Sequence, residues 1–234
     1  WGATCTAYNH RVLSDIAGEV GKIDLVYHGL DLARFPAPPV RSGAGPLRIL
    51  SVCRAVEKKG LDDVLRALSK LPADLDWRFE HVGGGSMVPQ LKARAERMGI
   101  LPRVAFLGAM DRADVIAAYA RADLFVLASR IARNGDRDGL PNVIMEAMAM
   151  GLPVVSTAVS AVPEIVTEET GLLVSERDPS GLTAAIARLA GDPALRRAMG
   201  AAGAARVREA FSPAPGLARL MERFCAEGVT RRAA

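Results

Sequence analysis

From residue 46 onward the apolar positions follow two alternating rhythms. Short, mostly apolar runs at 47–52, 77–82, 103–107, 123–127, 153–157 and 171–174 have the length of buried strands. Between them, apolar residues recur three and four apart: Leu61, Val64, Leu65, Leu68 and Leu71; then Val88, Leu91, Ala95 and Met98; then Val115, Ile116 and Tyr119. That spacing lays one apolar stripe along a helix. A further helix is predicted over 142–150, opened by Gly139-Leu140-Pro141 and stopped by Gly151 and Pro153. A short helix separates the last two strands, and helices over 179–190, 193–210 and 215–226 close the chain, with Asp178, Asp192 and Ser212 placed as N-caps or turn starters. Strand–helix alternation builds a parallel sheet covered on both faces, because each crossover helix must lie against one of them. The expected fold class is α/β: a doubly wound, Rossmann-like parallel sheet of about six strands.

The opening of the chain reads differently. Residues 6–20 suit a helix and 22–27 a strand, His28-Gly29-Leu30-Asp31 makes a turn, and the stretch to Gly45 is rich in Pro, Gly and Ala. The division expected is therefore residues 1–31 as the tail end of a domain that lies mostly upstream, 32–45 as an interdomain linker, 46–226 as the main domain and 227–234 as a C-terminal tail. Trp1 stands where a Met would open a complete chain and no leader-like pattern follows it, so a piece of a longer protein is expected.

Composition narrows the class. Hydrophobic residues make up 50% of the chain and charged ones 24%, the profile of a soluble globular protein. The net charge of +4 comes from scattered lysines and arginines, and aromatic residues are only 5%, so no nucleic-acid partner is expected. Cys5, Cys53 and Cys225 are odd in number and far apart, which argues against disulfides or a zinc site and for a cytoplasmic location. No apolar run approaches the ~20 residues that span a bilayer.

Candidate chemistry collects after the strands, at the edge where open α/β sheets bind ligands. The first strand is followed by Arg54, Lys58, Lys59 and Gly60, the second by Gly83-Gly84-Gly85, the third by Gly108-Ala109-Met110 and the fourth by a loop ending in Asp138. Arg54 and Lys59 suit a diphosphate, although exposed cations are also the ordinary furniture of a surface. The glycines permit close backbone approach, or form plain strand-to-helix turns. Asp138 precedes the helix that carries Glu146, and the N–H groups between them are free for an anion, so both acids can address one ligand. A GxGxxG fingerprint fails because Val88 stands at its last position, which disfavours a dehydrogenase. Asp74 and Asp76 precede a strand, at the wrong edge, and Asp136 and Asp138 read as solvated loop acids blunted by neighbouring arginines, so no metal and no cofactor are expected. His10, His28 and His81 lack a nucleophile pattern; His81 reads as a satisfied core residue, and Met145, Met148 and Met150 as packing.

Taken in order and spacing, several stretches resemble the nucleotide-sugar-binding half of retaining glycosyltransferases of the GT-B fold, the group 1, family 4 class. The most specific is an acid, seven residues, then Glu-Ala-Met-Ala-x-Gly-x-Pro-Val-Val, from Asp138 to Val155. Val162-Pro163-Glu164-Ile165-Val166, Thr170-Gly171-Leu172-Leu173-Val174, Arg54 with Lys58-Lys59-Gly60, Val82-Gly83-Gly84-Gly85 and the run from Ala120 to Leu127 continue the match over nearly all of the chain.

The resemblance implies roles. Arg54 and Lys59 would neutralise a diphosphate leaving group, Glu146 would hold ribose hydroxyls, and Asp138 would touch the donor sugar. The backbone of Gly139 and Leu140 would bind the terminal phosphate, Gly83 and Gly84 would line the donor, and Gly108 and Met110 would lie beside the base. The implied donor is a UDP- or GDP-sugar. The implied acceptor is a glycan or lipid-linked sugar, bound by an N-terminal domain and compatible with peripheral association at the inner face of a membrane. Donor binding with little turnover is expected of this piece alone. The first acid of the family is usually Glu; Asp138 is one methylene shorter, so the sugar contacts must shift or the loop must move inward. The common Pro-Ser after the fourth strand is here Ala128-Ser129. Rival readings are an epimerase or phosphorylase on the same fold, or a non-catalytic nucleotide-binding module.

Overall fold

The structure, a computed structural model, describes residues 1–18, 22–39, 41 and 45–232, with residues 226–232 described by backbone alone. The opening piece is a small parallel unit of β1 (Gly2–Thr4), α1 (Ala7–Ala17) and β2 (Ile23–Leu25), in which Gly2 pairs with Ile23 and Thr4 with Leu25. Thr6 caps α1 by accepting the Asn9 N–H at 3.0 Å, and Gly18, at φ 65°, turns the chain out of the helix. The helix expected to reach residue 20 thus ends at Ala17, while residues 19 and 20 lie outside the described ones. Strand β1, three residues long, carries no alternation and was invisible to pattern reading.

The main sheet has six parallel strands: β3 (Leu47–Val52), β4 (Trp77–Val82), β5 (Val104–Gly108), β6 (Leu124–Leu127), β7 (Val154–Thr157) and β8 (Gly171–Val174), in the spatial order β5-β4-β3-β6-β7-β8. The helices are α2 (Leu61–Leu68), α3 (Val88–Arg97), α4 (Arg112–Arg121), α5 (Asn142–Ala149), α6 (Val162–Ile165), α7 (Pro179–Gly191), α8 (Pro193–Ala210) and α9 (Pro213–Arg232). α2 packs with α3 and α7, and α5 with α8, so both faces are covered. The six-strand, doubly wound expectation holds, with most ends shifted by a residue or two; α2 ends at Leu68 although its apolar stripe continues to Leu71, and the last helix runs Pro213–Arg232 rather than 215–226. Asp178 and Asp192 cap their helices through the Gly181 and Leu195 N–H groups.

The apolar stripe of α2 is buried as expected, but so are Asp62 and Asp63 beside it. Burying carboxylates is costly unless they are paired, and here Arg130 reaches Asp62 at 2.9 Å and Asp63 at 2.7 Å. The segment expected to be a bare linker is also tied down. Arg41 donates to the carbonyls of Tyr119, Ala122, Met150 and Gly151, which fastens it to the loops entering the sheet from the other rim.

Polar contacts dock the opening piece. Glu164 accepts the first N–H groups of α1, from Ala7 at 2.8 Å and Tyr8 at 3.1 Å, together with the Tyr27 hydroxyl at 2.8 Å. A carboxylate at a helix N-terminus satisfies otherwise orphaned donors. On the far side Asp24 is forked by Arg219 and Arg223 of α9, and their hydrogen bonds hold its carboxyl below the ordinary range. Among the described residues no helix is long and apolar enough to cross a membrane.

Gly60 shows how tightly the strand ends are packed. Its φ of 61° is left-handed, and a Cβ there would overlap the carbonyl oxygen of Ala128. Gly60→Ala should therefore lower stability by about 2–4 kcal/mol, combining backbone strain with overpacking. Urea unfolding with an unchanged slope checks this; a loss under ~1 kcal/mol would show that the loops can separate.

Candidate active site

Strand order fixes the location of the site. From β3 the chain runs outward through β4 to β5, then returns to β6 and runs the other way, so a crevice opens beyond the carboxyl ends of β3 and β6. The segment after β3 holds Arg54 and a short 3-10 turn, Glu57–Lys59, ended by Gly60. The segment after β6 runs from Ala128 to Asp138. Because Gly60 lacks a side chain, the two loops touch, and Arg130 N–H bonds the Lys58 carbonyl at 2.8 Å.

Lys59 and Asp138, 79 positions apart in the chain, meet there: Nζ lies 2.7 Å from Oδ2. The Ser129 hydroxyl donates to the same oxygen at 3.0 Å. Lys58 pairs with Asp136 at 3.0 Å and stands 3.7 Å from Asp138 Oδ1. The side chains of Lys58, Lys59 and Asp138 are only 14%, 13% and 11% exposed. They are not the solvated loop charges that composition alone suggests, because the touching loops shield them from water. Lys58 is the main partner of Asp136, and its hydrogen bond holds that carboxyl below its usual value. Arg137 instead lies over the Tyr8 ring, 5.2 Å from its centroid. Arg54 is exposed at the same rim, and its charge also favours ionised Asp136.

Beneath the loops Arg130 is buried against Asp62 and Asp63 and donates Nε–H to the Glu57 carbonyl at 3.0 Å. Burial alone would lower its pKa, but the two carboxylates outweigh it and raise the guanidinium above its ordinary value. Removing either side of such a cluster strands a buried charge. Arg130 thus pins the start of the Asp138 loop to the helix that follows Lys59.

Glu146 lies one helix away. It is half-buried in α5 and accepts a hydrogen bond from the Tyr119 hydroxyl at 2.9 Å. Tyr119 is fully buried, and burial, reinforced by the Glu146 charge, pushes its pKa well up, so it remains a donor. Glu146 does not contact the Lys59–Asp138 pair. Cys53 stands within electrostatic reach of Lys59, Asp138 and Tyr119. Burial raises its pKa to about 12, which leaves it a thiol at neutral pH and a poor nucleophile.

The glycines divide by environment. Gly83 and Gly85 have left-handed backbones against the carbonyls of Cys53 and Ala55, where any Cβ would clash. Gly84, Gly108 and Gly139 face open space. Gly83 N–H bonds the Gly108 carbonyl at 2.7 Å, which closes the rim between β4 and β5. Met110 is half-buried beyond β5. Leu140 is buried, and α5 begins at Asn142 with Pro141 before it, so Gly139 and Leu140 precede the helix rather than open it. His81 is fully buried, with Nε2 2.9 Å from the Cys53 carbonyl, but its Nδ1 has no partner, so it is not the satisfied core histidine expected. Asp76 sits at the amino end of β4, on the opposite rim. Among the described residues no group of three or more His, Cys, Asp or Glu is gathered as metal ligands would be.

The rim thus joins Lys59 to Asp138 directly and brings Arg54 near Asp136, while Glu146 forms a second cluster with Tyr119. Lys58, Ser129, Arg130 and Tyr119 are members that sequence reasoning gave no functional part. For Tyr119 a signal existed in its place on the helical stripe, but not in its hydroxyl. A cavity of about 220 Å³ opens beside the pair, lined by Thr6, Asn9, Arg137, Asp138, Gly139 and Ser160 among others.

Known proteins carry the same arrangement of sequence. The model of the family "Glycosyl transferases group 1" matches residues 46–192. A putative colanic acid biosynthesis glycosyltransferase, WcaL of Escherichia coli (strain K12), is 37% identical over 168 residues, which cover 71% of this chain and 41% of that protein. A GDP-mannose-dependent monoacylated alpha-(1-6)-phosphatidylinositol monomannoside mannosyltransferase of Corynebacterium glutamicum is 34% identical over 196 residues, 79% of this chain and 51% of that one. In three dimensions the sucrose-phosphate synthase of Thermosynechococcus elongatus superposes on 97% of this chain and 58% of its own, with a TM-score of 0.84 and 25% identity. The chain spans between two fifths and about half of the length of these two curated relatives.

The Lys59–Asp138 pair has a measurable consequence. An anion that takes the Lys59 ammonium must compete with the Asp138 carboxylate. Asp138→Asn should therefore tighten binding of inorganic pyrophosphate roughly three- to tenfold at low salt, with the gain shrinking as salt screens the charges. Calorimetry that finds pyrophosphate binding unchanged or weakened would remove Lys59 from the anion site.

Proposed function

The chain belongs to the group 1 glycosyl transferases, and from that membership we propose that its rim binds a nucleoside-diphosphate sugar and serves transfer of the sugar to an acceptor with retention at the anomeric carbon. The observation that carries the reading is the convergence at the β3–β6 crevice of Lys59, Lys58 and Arg54 with Asp138, just ahead of α5.

The chemistry follows from charge. As the bond between sugar and diphosphate breaks, negative charge builds on the departing oxygen, and fixed cations in a partly desiccated crevice stabilise it strongly. Lys59 and Arg54 take that role. The N–H groups that precede and open α5, around Gly139 and Leu140, receive the terminal phosphate. Glu146, held by the Tyr119 hydroxyl, accepts from the ribose hydroxyls, so nucleotide binding positions the sugar for attack. Asp138 faces the cavity as well as Lys59, and once the diphosphate occupies Lys59 its carboxylate turns to the sugar hydroxyls. Gly83 and Gly84 leave room for the donor, and Gly108 and Met110 flank the base.

A UDP- or GDP-sugar is the proposed donor; the name of the Corynebacterium relative, which specifies GDP-mannose, supports the guanine option. The acceptor is proposed to be a glycan or a lipid-linked sugar. Residues 46–226 form the donor domain, 32–45 link it, and residues 1–31 belong to the partner side of the cleft. Since the chain spans only part of its relatives' length, the acceptor site is assigned to the remainder, and this chain alone is proposed to bind donor with little turnover.

Two measurements test the reading. A panel of nucleoside diphosphates and their sugars should raise the melting temperature, and a flat panel would sink the proposal. Arg54→Ala should weaken nucleoside diphosphate binding roughly ten- to a hundredfold and leave the nucleoside almost unaffected, because one charged hydrogen-bonding partner of the phosphates is lost. Equal losses for both ligands in calorimetry would contradict the assigned role.

A further inference from the structure

The turn after β7 carries a residue that the charge argument does not use. Ser160 has φ 53°, in the left-handed region, where a side chain is strained and glycine would sit without steric strain. Its Oγ is shielded from solvent and has no hydrogen-bond partner. Two features of one serine therefore work against the fold. Nor can the turn relax. Val159 N–H bonds the Thr157 carbonyl at 2.9 Å, Val162 N–H bonds the Val159 carbonyl at 3.1 Å, and Val159 and Ala161 on either side are buried.

Ser160 lines the same cavity of about 220 Å³ as Asp138 and Gly139. At ~30 Å³ per water molecule that volume equals roughly seven waters, the scale of one small polar ring. A carboxylate only accepts hydrogen bonds, whereas a hydroxyl both donates and accepts. The two together match a polyol whose neighbouring hydroxyls need both kinds of partner. An unpaired buried polar group that also stores strain is the sort of departure that ligand contact explains.

We propose that Ser160 is a specificity-determining residue whose Oγ, turned into the cavity by a change of χ1 rotamer, hydrogen-bonds a ring hydroxyl of the donor sugar held beside Asp138. This rests on the reading of the rim as a nucleotide-sugar site. Ser160→Gly removes the hydroxyl and relieves the turn, while Ser160→Ala removes the hydroxyl and keeps the strain, so the pair separates ligand contact from folding.

Calorimetry with UDP, GDP and their glucose, galactose and mannose derivatives is run on the wild type and both variants, beside thermal melting. Both variants should lose roughly three- to tenfold in affinity for the preferred sugar nucleotide, while the bare nucleoside diphosphate binds within about twofold of wild type. Ser160→Gly should melt no lower than wild type. Sugar-nucleotide affinity unchanged in both variants would overturn the assignment, as would an equal loss for the bare diphosphate. A wild type that binds none of these nucleotides would instead sink the donor-site reading itself, and the role of Ser160 with it.

Discussion

Everything at the rim depends on the contact between the loops that leave β3 and β6. Parallel strands side by side deliver their following loops to the same edge, but adjacency alone leaves room for side chains between them. Here Gly60 lies against the Ala128 carbonyl with no space for a Cβ, and the Lys58 carbonyl takes the Arg130 N–H. At that separation a lysine on one loop and an aspartate on the other reach each other. The neighbouring hydroxyls brace the same seam: Ser51 from β3 and Ser156 from β7 donate to carbonyls of β6, and Thr157 donates to Ser129 just beyond it.

Electrostatics beneath the surface keeps the seam closed. Arg130, Asp62 and Asp63 form a buried cluster in which one guanidinium serves two adjacent carboxylates at the start of α2. Acids in a first helical turn also gain from the helix dipole. Such clusters add little net stability compared with apolar packing, because desolvation offsets attraction. Their contribution is geometric: the guanidinium has few places where all its donors are met, so the loop has few places to go. Arg41 acts in the same way on the opposite rim, where four carbonyls surround one side chain.

How much of this was legible in the sequence follows from what each feature depends on. The six strands and their helices announce themselves because burial writes period and run length directly into residue order. The rim location of Arg54, Lys59 and Asp138 follows once the strands are placed, since ligands collect where strands end. The pairing of Lys59 with Asp138 does not, because it depends on a contact between residues 79 positions apart. Asp62 and Asp63 lie off the apolar stripe of α2, and their burial is made tolerable by Arg130 from a distant loop together with Arg94 on Asp62 and Arg66 on Asp63. The short strand β1 carries no period. The unpartnered Nδ1 of His81 and the left-handed backbone of Ser160 depend on local geometry that residue types do not encode.

The shielding of Lys59 poses a problem that Asp138 resolves. An ammonium 13% exposed is expensive without a counter-ion, yet on the proposed reading the same group has to stay open to a phosphate. A carboxylate at the end of a loop meets both demands. It compensates the shielded charge, and under the proposed function it would yield to a ligand of higher charge while Arg130 holds the loop's other end. Asp, shorter than Glu, reaches Lys59 here at 2.7 Å while remaining on the wall of the cavity. On the proposed reading the same carboxylate serves in turn as counter-ion to Lys59 and as ligand to the sugar.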